Sequence, residues 1–330
     1  MTAVSPAAGS GWRSARRHYV AQNAPLLLSF IILVATVVGY VAFYVNQLGR
    51  TPDSFDLTTV VDTALPLVFV ALGQTIVILT RGLDLSVGGV LGLATAIGAT
   101  HLGSSAGSMI TTSVLILLMG AAAGLVNGLL VVLVRLQPIL VTLGTLSIFD
   151  GLAVMVLRQP GGTVPTGFTD LLANPNAPTS LLFVLLAAAA WFVLRRSRLG
   201  VSIFAAGNDE NAAAANGVNV RAAKISAYVI SGLCAAAGGL FFLATTTSGD
   251  ATAGDPFNLT SIAASVLGGV SFFGGRGSAI GSICGAFVLT LVVNVLFFAK
   301  VNPLYQSLYE GLFLIVAVVL GLLVGRLARR

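Results

Sequence analysis

Uninterrupted apolar stretches of about twenty residues recur from residue 24 to residue 325 of this chain, each the length an α-helix needs to cross the hydrocarbon core of a bilayer. This repetition decides the fold class. In lipid a backbone N–H or C=O finds no water, so a chain that crosses with runs of this length must do so as α-helices. Composition agrees: 56% of the 330 residues are hydrophobic and 8% are charged, where ordinary globular proteins carry about 25% charged residues. The chain is read as an all-α, polytopic membrane protein.

Ten spans are expected, at roughly 24–46, 61–80, 84–101, 109–134, 138–157, 179–195, 222–247, 257–273, 277–299 and 304–325. Pro138 suits the first turn of the fifth, where its missing N–H costs nothing. Residues 1–23 read as an N-terminal tail, 24–325 as a single transmembrane domain with a polar loop at 196–221, and 326–330 as a C-terminal tail. The tail carries Arg13, Arg16, Arg17 and His18, but the apolar run behind it has full span length and no small-residue cleavage signal. It therefore reads as an uncleaved first helix rather than a secretory signal. With the N-terminus in the cytoplasm, fourteen of the seventeen Lys and Arg residues fall on that side, and Arg50, Arg158 and Lys300 on the other. That asymmetry is the positive-inside pattern and places both termini in the cytoplasm.

The net charge of +6 lies in short loops and forms no basic stripe, so it records membrane orientation and does not point to nucleic acid. Cys234 and Cys284 sit inside apolar segments and read as helix-packing residues, not a disulfide framework.

Residues 73–92 hold the most informative interruption. An apolar helix runs into a break carrying Arg81 and Asp84, and a Gly-spaced apolar helix starts at once beyond it. Irregular backbone and charge near membrane depth persist only where protein or a water-filled cavity covers them. Two readings follow: a broken or re-entrant element beside a transport pathway near residues 81–88, or a short cytoplasmic turn held by an Arg81–Asp84 pair. Residues 268–285 loosely repeat the pattern around Arg276.

Gly120, Gly124 and Gly128 are four apart, as are Gly277, Gly281 and Gly285, Gly88 and Gly92, and Gly321 and Gly325. Such rows let helix backbones approach closely, within one bundle or at a dimer seam. Gln74, Asn127, Asp150 and Asn294 lie within spans, and Asp62 and Glu310 near span ends. Intramembrane polar groups of this kind are pathway candidates, against the alternative of plain interhelical hydrogen bonds. The 158–178 segment, rich in Gly, Pro and Asn, reads as an outer connector or contact surface.

The chain has two lysines, Lys224 and Lys300, neither following a glycine, so a phosphate-binding G-x-x-x-x-G-K-[ST] loop is absent. His18 and His101 lie away from the bundle centre, and no metal-ligand cluster or nucleophile–base set is legible. The chain reads as a non-enzyme without a cofactor, energised by an ion gradient or by another subunit. Residues 209–217 bear on that choice. Asp209 and Glu210 precede Asn211 and the alanines, and Gly217 ends the run. Acidic first turn, alanine body and terminal glycine predict a short cytoplasmic helix, with Ala212 and Ala213 small enough to enter a partner's groove.

At this point several stretches, in order, resemble the membrane permease of bacterial sugar ABC importers of the ribose, xylose, arabinose and galactose type. They are Gly82-Leu83-Asp84-Leu85-Ser86-Val87-Gly88, the run Asp209-Glu210-Asn211-Ala212-Ala213 with Gly217-Val218-Asn219-Val220, Ala251-Thr252-Ala253-Gly254, and Ile262 to Gly269 continuing to Gly274-Gly275-Arg276-Gly277. The similarity runs from about residue 60 to 325. It implies a ten-helix permease working as a homodimer, loaded by an extracytoplasmic sugar-binding protein and driven by a cytoplasmic ATPase that binds the ATP and Mg. By that resemblance Asp209, Glu210, Asn211, Ala212, Ala213 and Gly217 couple to the ATPase, and Asp84 and Ser86 match the break after the second span. The chain departs from the pattern at Arg81, where relatives commonly have glycine, at Asn258 and Thr260, often Glu and Asp, and at Ala214, often arginine.

The expectation is an importer permease for a monosaccharide or related polyol, with Gln74, Asp84, Ser86, Asn127 and Asn294 in the translocation pathway and Asp250 and Asp255 docking the binding protein. Lipid surrounds it, and the bacterial inner membrane is its place. The rival is a gradient-driven secondary transporter using Asp150 or Asp84 as its coupling carboxylate.

Overall fold

The computed structural model describes the backbone of residues 10–302, with side chains from residue 25, and single residues between 305 and 315. Among them twelve helices follow one another: α1 (Ser10–Leu48), α2 (Ser54–Leu79), α3 (Val87–His101), α4 (Ala106–Val132), α5 (Pro138–Val156), α6 (Thr166–Leu172), α7 (Thr179–Arg196), α8 (Arg198–Asn208), α9 (Glu210–Ala215), α10 (Val220–Thr246), α11 (Asp255–Leu267) and α12 (Ala279–Phe298). No strand occurs among the described residues; one isolated antiparallel bridge joins Gly161 and Gly249. Seven helices, α1 from Pro25 onward, α2, α4, α5, α7, α10 and α12, are long and apolar enough to cross a membrane. The chain is an all-helical, multi-pass membrane protein. The tenth expected span, with Gly321 and Gly325, lies largely outside the described residues.

Local sequence sets the helix ends. Asp53 caps α2 by accepting from the Asp56 N–H, while the Asp56 carboxylate accepts from the Asp53 N–H, two orphan donors satisfied at once. Ser105, Ser197 and Asn219 do the same by single bonds for α4, α8 and α10. Sequence reading missed α6, inside the supposed connector, and α8, inside the polar loop.

Two expected spans need correction. α3 has 15 residues and α11 has 13, about 22 and 20 Å at 1.5 Å per residue, short of a core about 30 Å thick. The eighth apolar run stops as a helix at Leu267 because Gly268 and Gly269 turn the chain, Gly269 with φ of 83°. The third starts at Val87 because Asp84 and Ser86 bond to each other rather than enter the helix.

α2 and α10 form the centre. Nearly every α2 side chain from Asp62 to Leu79 is buried, and α10 packs on α2, α3 and α4. Apolar side chains of the outer helices face outward instead: Met155 on α5 is 78% exposed and Val193 on α7 73%, as a lipid-facing surface requires. Lipid supplies no hydrophobic drive for helices to associate, so close contact of small residues takes that role. A methyl group on Gly124 would stand 2.1 Å from the Tyr228 carbonyl oxygen, and one on Gly232 2.0 Å from that of Gly120. The row Gly281–Gly285 likewise meets the Gly268 and Ala264 carbonyls, and Gly88 and Gly92 meet those of Gly254 and Ala251. Each described glycine row is thus used within one chain, not at a dimer seam.

Gly124→Leu or Gly232→Val should therefore force α4 and α10 apart, at about 1–3 kcal/mol each. Gly144→Ala, where nothing lies within 4 Å of an added methyl, should change little. Thermal unfolding of the detergent-solubilised protein measures both.

Candidate functional site

The break between α2 and α3 is buried, and a closed polar chain holds it. The Asp84 carboxylate accepts three bonds: from the Ser86 N–H at 3.0 Å and the Ser86 hydroxyl at 2.6 Å on Oδ1, and from the Ser231 hydroxyl at 2.8 Å on Oδ2. Ser86 Oγ in turn accepts from Asn127 Nδ2 at 2.7 Å, and Asn127 Oδ1 accepts from the Thr145 hydroxyl at 2.7 Å. The break, α4, α5 and α10 are tied together by one line of hydrogen bonds. Asp84, Ser86, Asn127 and Ser231 are all buried, so the arrangement avoids the cost of unpaired polar groups in a low-dielectric interior. Thr145 and Ser231 escaped sequence reading because a serine or threonine inside an apolar span carries no signal of which side chain it will meet.

The structure thus brings Asp84, Ser86 and Asn127 together, and leaves Gln74 and Asn294 elsewhere. Gln74, fully buried on α2, has neither amide atom hydrogen-bonded among the described residues, and Asn294 Nδ2 on α12 is in the same condition.

The Arg81–Asp84 pair, one of the two readings of the break, does not form. Arg81 turns away, its Nε donating to the carbonyls of Gly207 at 2.8 Å and Phe273 at 3.0 Å, and its Nη2 to that of Asn208 at 2.6 Å. The reason is the backbone: Arg81 has φ of 63°, which aims its side chain toward α8 and the Gly-rich turn while Asp84 points into the bundle. The two similar hairpins at 73–92 and 268–285 consequently meet, the Gly275 N–H also donating to the Leu79 carbonyl at 2.9 Å.

The half-length helices α3 and α11 begin beside one another. The Gly88 N–H donates to Asn258 Oδ1 at 2.8 Å, and a methyl on Gly254 would stand 1.8 Å from the Gly88 carbonyl oxygen. From there α3 runs to the end where Gly162 and Gly249 contact Ala99, and α11 to the opposite end, where Gly268 contacts Gly281. The 249–254 stretch descends along α3, covering the rise from Ala99 to Gly88, about 16 Å. Two half-helices starting together inside a bundle are the arrangement that transporters use at midplane substrate sites.

Asp250 holds the top of this descent, accepting from the Thr252 N–H and hydroxyl at 2.9 Å, while its carbonyl accepts from Thr95. Asp255 is exposed in the first turn of α11. The 158–178 segment joins the same face through the Gly161–Gly249 bridge and the bond from the Thr163 N–H to the Ala99 carbonyl.

α9 stands at the other end. Asp209 caps it by accepting from the Ala212 N–H at 3.0 Å, and Glu210 pairs with Lys224. Gly217, with φ of 80°, closes it as the Val218 N–H returns to the Ala213 carbonyl, a left-handed stop suited to glycine. Asn211, Ala212, Ala214 and Ala215 are exposed, whereas Ala213 is buried against its own chain.

A family model for the permease component of branched-chain amino acid transport systems matches residues 57–318. The ribose import permease protein RbsC of Escherichia coli is 32% identical over 320 residues, spanning 92% of this chain and 96% of that protein. The fructose import permease protein FrcC of Rhizobium meliloti is 32% identical over 328 residues, 94% of this chain and 89% of the relative. The autoinducer 2 import system permease protein LsrC of Photorhabdus laumondii is 35% identical over 273 residues, 80% of each. No solved structure matches the chain.

If the polar chain closes as described, Thr145→Val should destabilise by about 1–3 kcal/mol, the cost of leaving Asn127 Oδ1 buried and unpaired. Asp84→Ala should cost more, because three donors lose their acceptor. Thermal unfolding in detergent should rank wild type above Thr145→Val above Asp84→Ala. An Asp84→Ala protein as stable as wild type would instead mark Asp84 as a group free in a cavity.

Proposed function

The chain belongs to the permease-component family of branched-chain amino acid transport systems, and on that premise we propose that it is the membrane-spanning subunit of an ABC importer for a monosaccharide or related polyol. The family description names amino acids. The relatives that align with most of this chain import ribose, fructose and autoinducer 2, and that supports a polyhydroxylated cargo. The subunit is the non-catalytic one, in the bacterial inner membrane; ATP and Mg belong to a separate cytoplasmic ATPase. Two copies form the pathway, each with cytoplasmic termini, and an extracytoplasmic sugar-binding protein delivers the cargo to the face that holds Asp250, Asp255 and the 158–178 segment.

Transport is by alternating access. The pathway passes the meeting point of α3 and α11, and away from that point Gln74 on α2 and Asn294 on α12 supply it with hydroxyl-matching groups. Asp84, Ser86 and Asn127 act from behind by fixing the break. The observation that carries this reading is α9: a helix capped at both ends, braced by Glu210–Lys224, and presenting exposed methyl groups at the arginine-rich end of the bundle. A short connector between spans has no need of a rigid, methyl-faced helix, whereas an ATPase groove does. The exposed side of α9 comprises Asn211, Ala212, Ala214 and Ala215, with Asp209 and Gly217 fixing its ends and Ala213 its seat.

Ala212→Arg should leave the free permease folded, since the site is exposed, and should abolish co-purification of the ATPase by clashing with its groove or burying an unpaired charge there. Gly217→Val should do the same by straining the left-handed stop. Retention of the ATPase and full transport by both variants would reduce the loop to a connector.

A further inference from the structure

Arg81 is the residue the reading above leaves without a task. A bulky side chain with positive φ is strained, and such conformations persist where surrounding contacts over-determine them. Here three backbone carbonyls supply those contacts, from residues 126, 127 and 192 positions away in sequence. Gly207 and Asn208 end α8, so their carbonyls are among those that no later helical N–H can satisfy. A cation at a helix C-terminus also opposes the negative end of its dipole. The planar guanidinium, with donors fixed in a fork, reaches both carbonyls and Phe273 together.

The junction is tight. A methyl on Gly207 would stand 1.7 Å from the Leu79 carbonyl oxygen, and one on Gly274 2.5 Å from Arg81 Cγ. No segment of the three can shift far without the others. On one side, Asn208 precedes Asp209, the cap of α9. On the other, Arg81 is three residues from Asp84, the anchor of the buried polar chain, and five from Ser86, where α3 starts.

We infer that Arg81 is a positioning residue that couples the ATPase-facing helix α9 to the α2–α3 break, its guanidinium acting as a latch on the end of α8 and its left-handed backbone as the sprung hinge that the latch holds. Displacement of α8 and α9 withdraws the carbonyls, the hinge relaxes toward negative φ, and the orientation of residues 82–86 changes with it. This rests on the reading of α9 as the ATPase contact. The partners of the guanidinium are uncharged backbone carbonyls, so the latch is a set of directed hydrogen bonds and not an ion pair.

Arg81→Gly removes the latch and the strain of the hinge together without forbidding the native backbone, since glycine accepts the left-handed conformation without strain. Arg81→Lys keeps a cation but cannot span three carbonyls. The experiment is amide hydrogen exchange on the purified permease–ATPase complex, with and without Mg and a non-hydrolysable ATP analogue. In wild type the nucleotide should change exchange in both 209–217 and 80–88. In Arg81→Gly the change at 209–217 should persist and that at 80–88 be lost, with part of it restored in Arg81→Lys. The readout is the nucleotide-dependent difference, which a merely structural role would leave in place even where overall exchange rises. A wild-type difference at 80–88 in Arg81→Gly, or a wild-type complex in which 209–217 alone responds, overturns the latch. Failure of the nucleotide to alter 209–217 in the wild-type complex overturns the reading of α9 itself, and the latch with it.

Discussion

A backbone that leaves its helix inside a packed bundle must find every lost hydrogen bond within the protein, and this requirement organises the molecule. The chain interrupts helical order between α2 and α3 and again at residues 268–278, and each interruption helps to satisfy the other. The Leu79 carbonyl, freed where α2 ends, accepts from Gly275; the Phe273 carbonyl, freed in the second turn, accepts from Arg81. The carboxylate that the first break would otherwise strand is enclosed by hydroxyls from the break itself and from α10. Irregular backbone survives because two irregular places were brought together.

That pairing in turn depends on glycine. Helices in lipid gain little by burying Leu against Leu, and the contacts that fix α4 on α10 and α11 on α12 are backbone against backbone, closer than any side chain permits. A rigid scaffold around a polar, internally bonded break suits a machine that must change the exposure of a pathway without unfolding its walls.

Span existence and the stop at Gly217 were legible because they follow from local rules: run length for the first, an acidic start and a glycine end for the second. Asp84 was legible as an oddity, a charge between apolar helices. Its partners were not, since Ser231 lies 147 residues away and nothing distinguishes it from other serines in spans. The alternative that paired Arg81 with Asp84 fails for a related reason. A nearby carboxylate suggests an ion pair, whereas the real partners of Arg81 are carbonyls, which every residue has and no sequence pattern displays. The half-length of α11 was hidden because the apolar run continues to Phe273 past the glycines that end the helix. Ala213 shows the limit of a six-residue helix: two neighbouring alanines look alike in sequence, yet one faces outward and the other packs inward.

The account's central claim is that this chain forms a pathway and has no energy source of its own. Proteoliposomes carrying the chain alone, under imposed proton and sodium gradients, test it directly when compared with vesicles that also hold the ATPase, ATP and the binding protein. Across a panel of radiolabelled monosaccharides that includes ribose and fructose, accumulation should occur only in the complete system and stop when ATP is withdrawn. Gradient-driven accumulation by the chain alone would contradict the claim and return the intramembrane carboxylates to the centre of the mechanism.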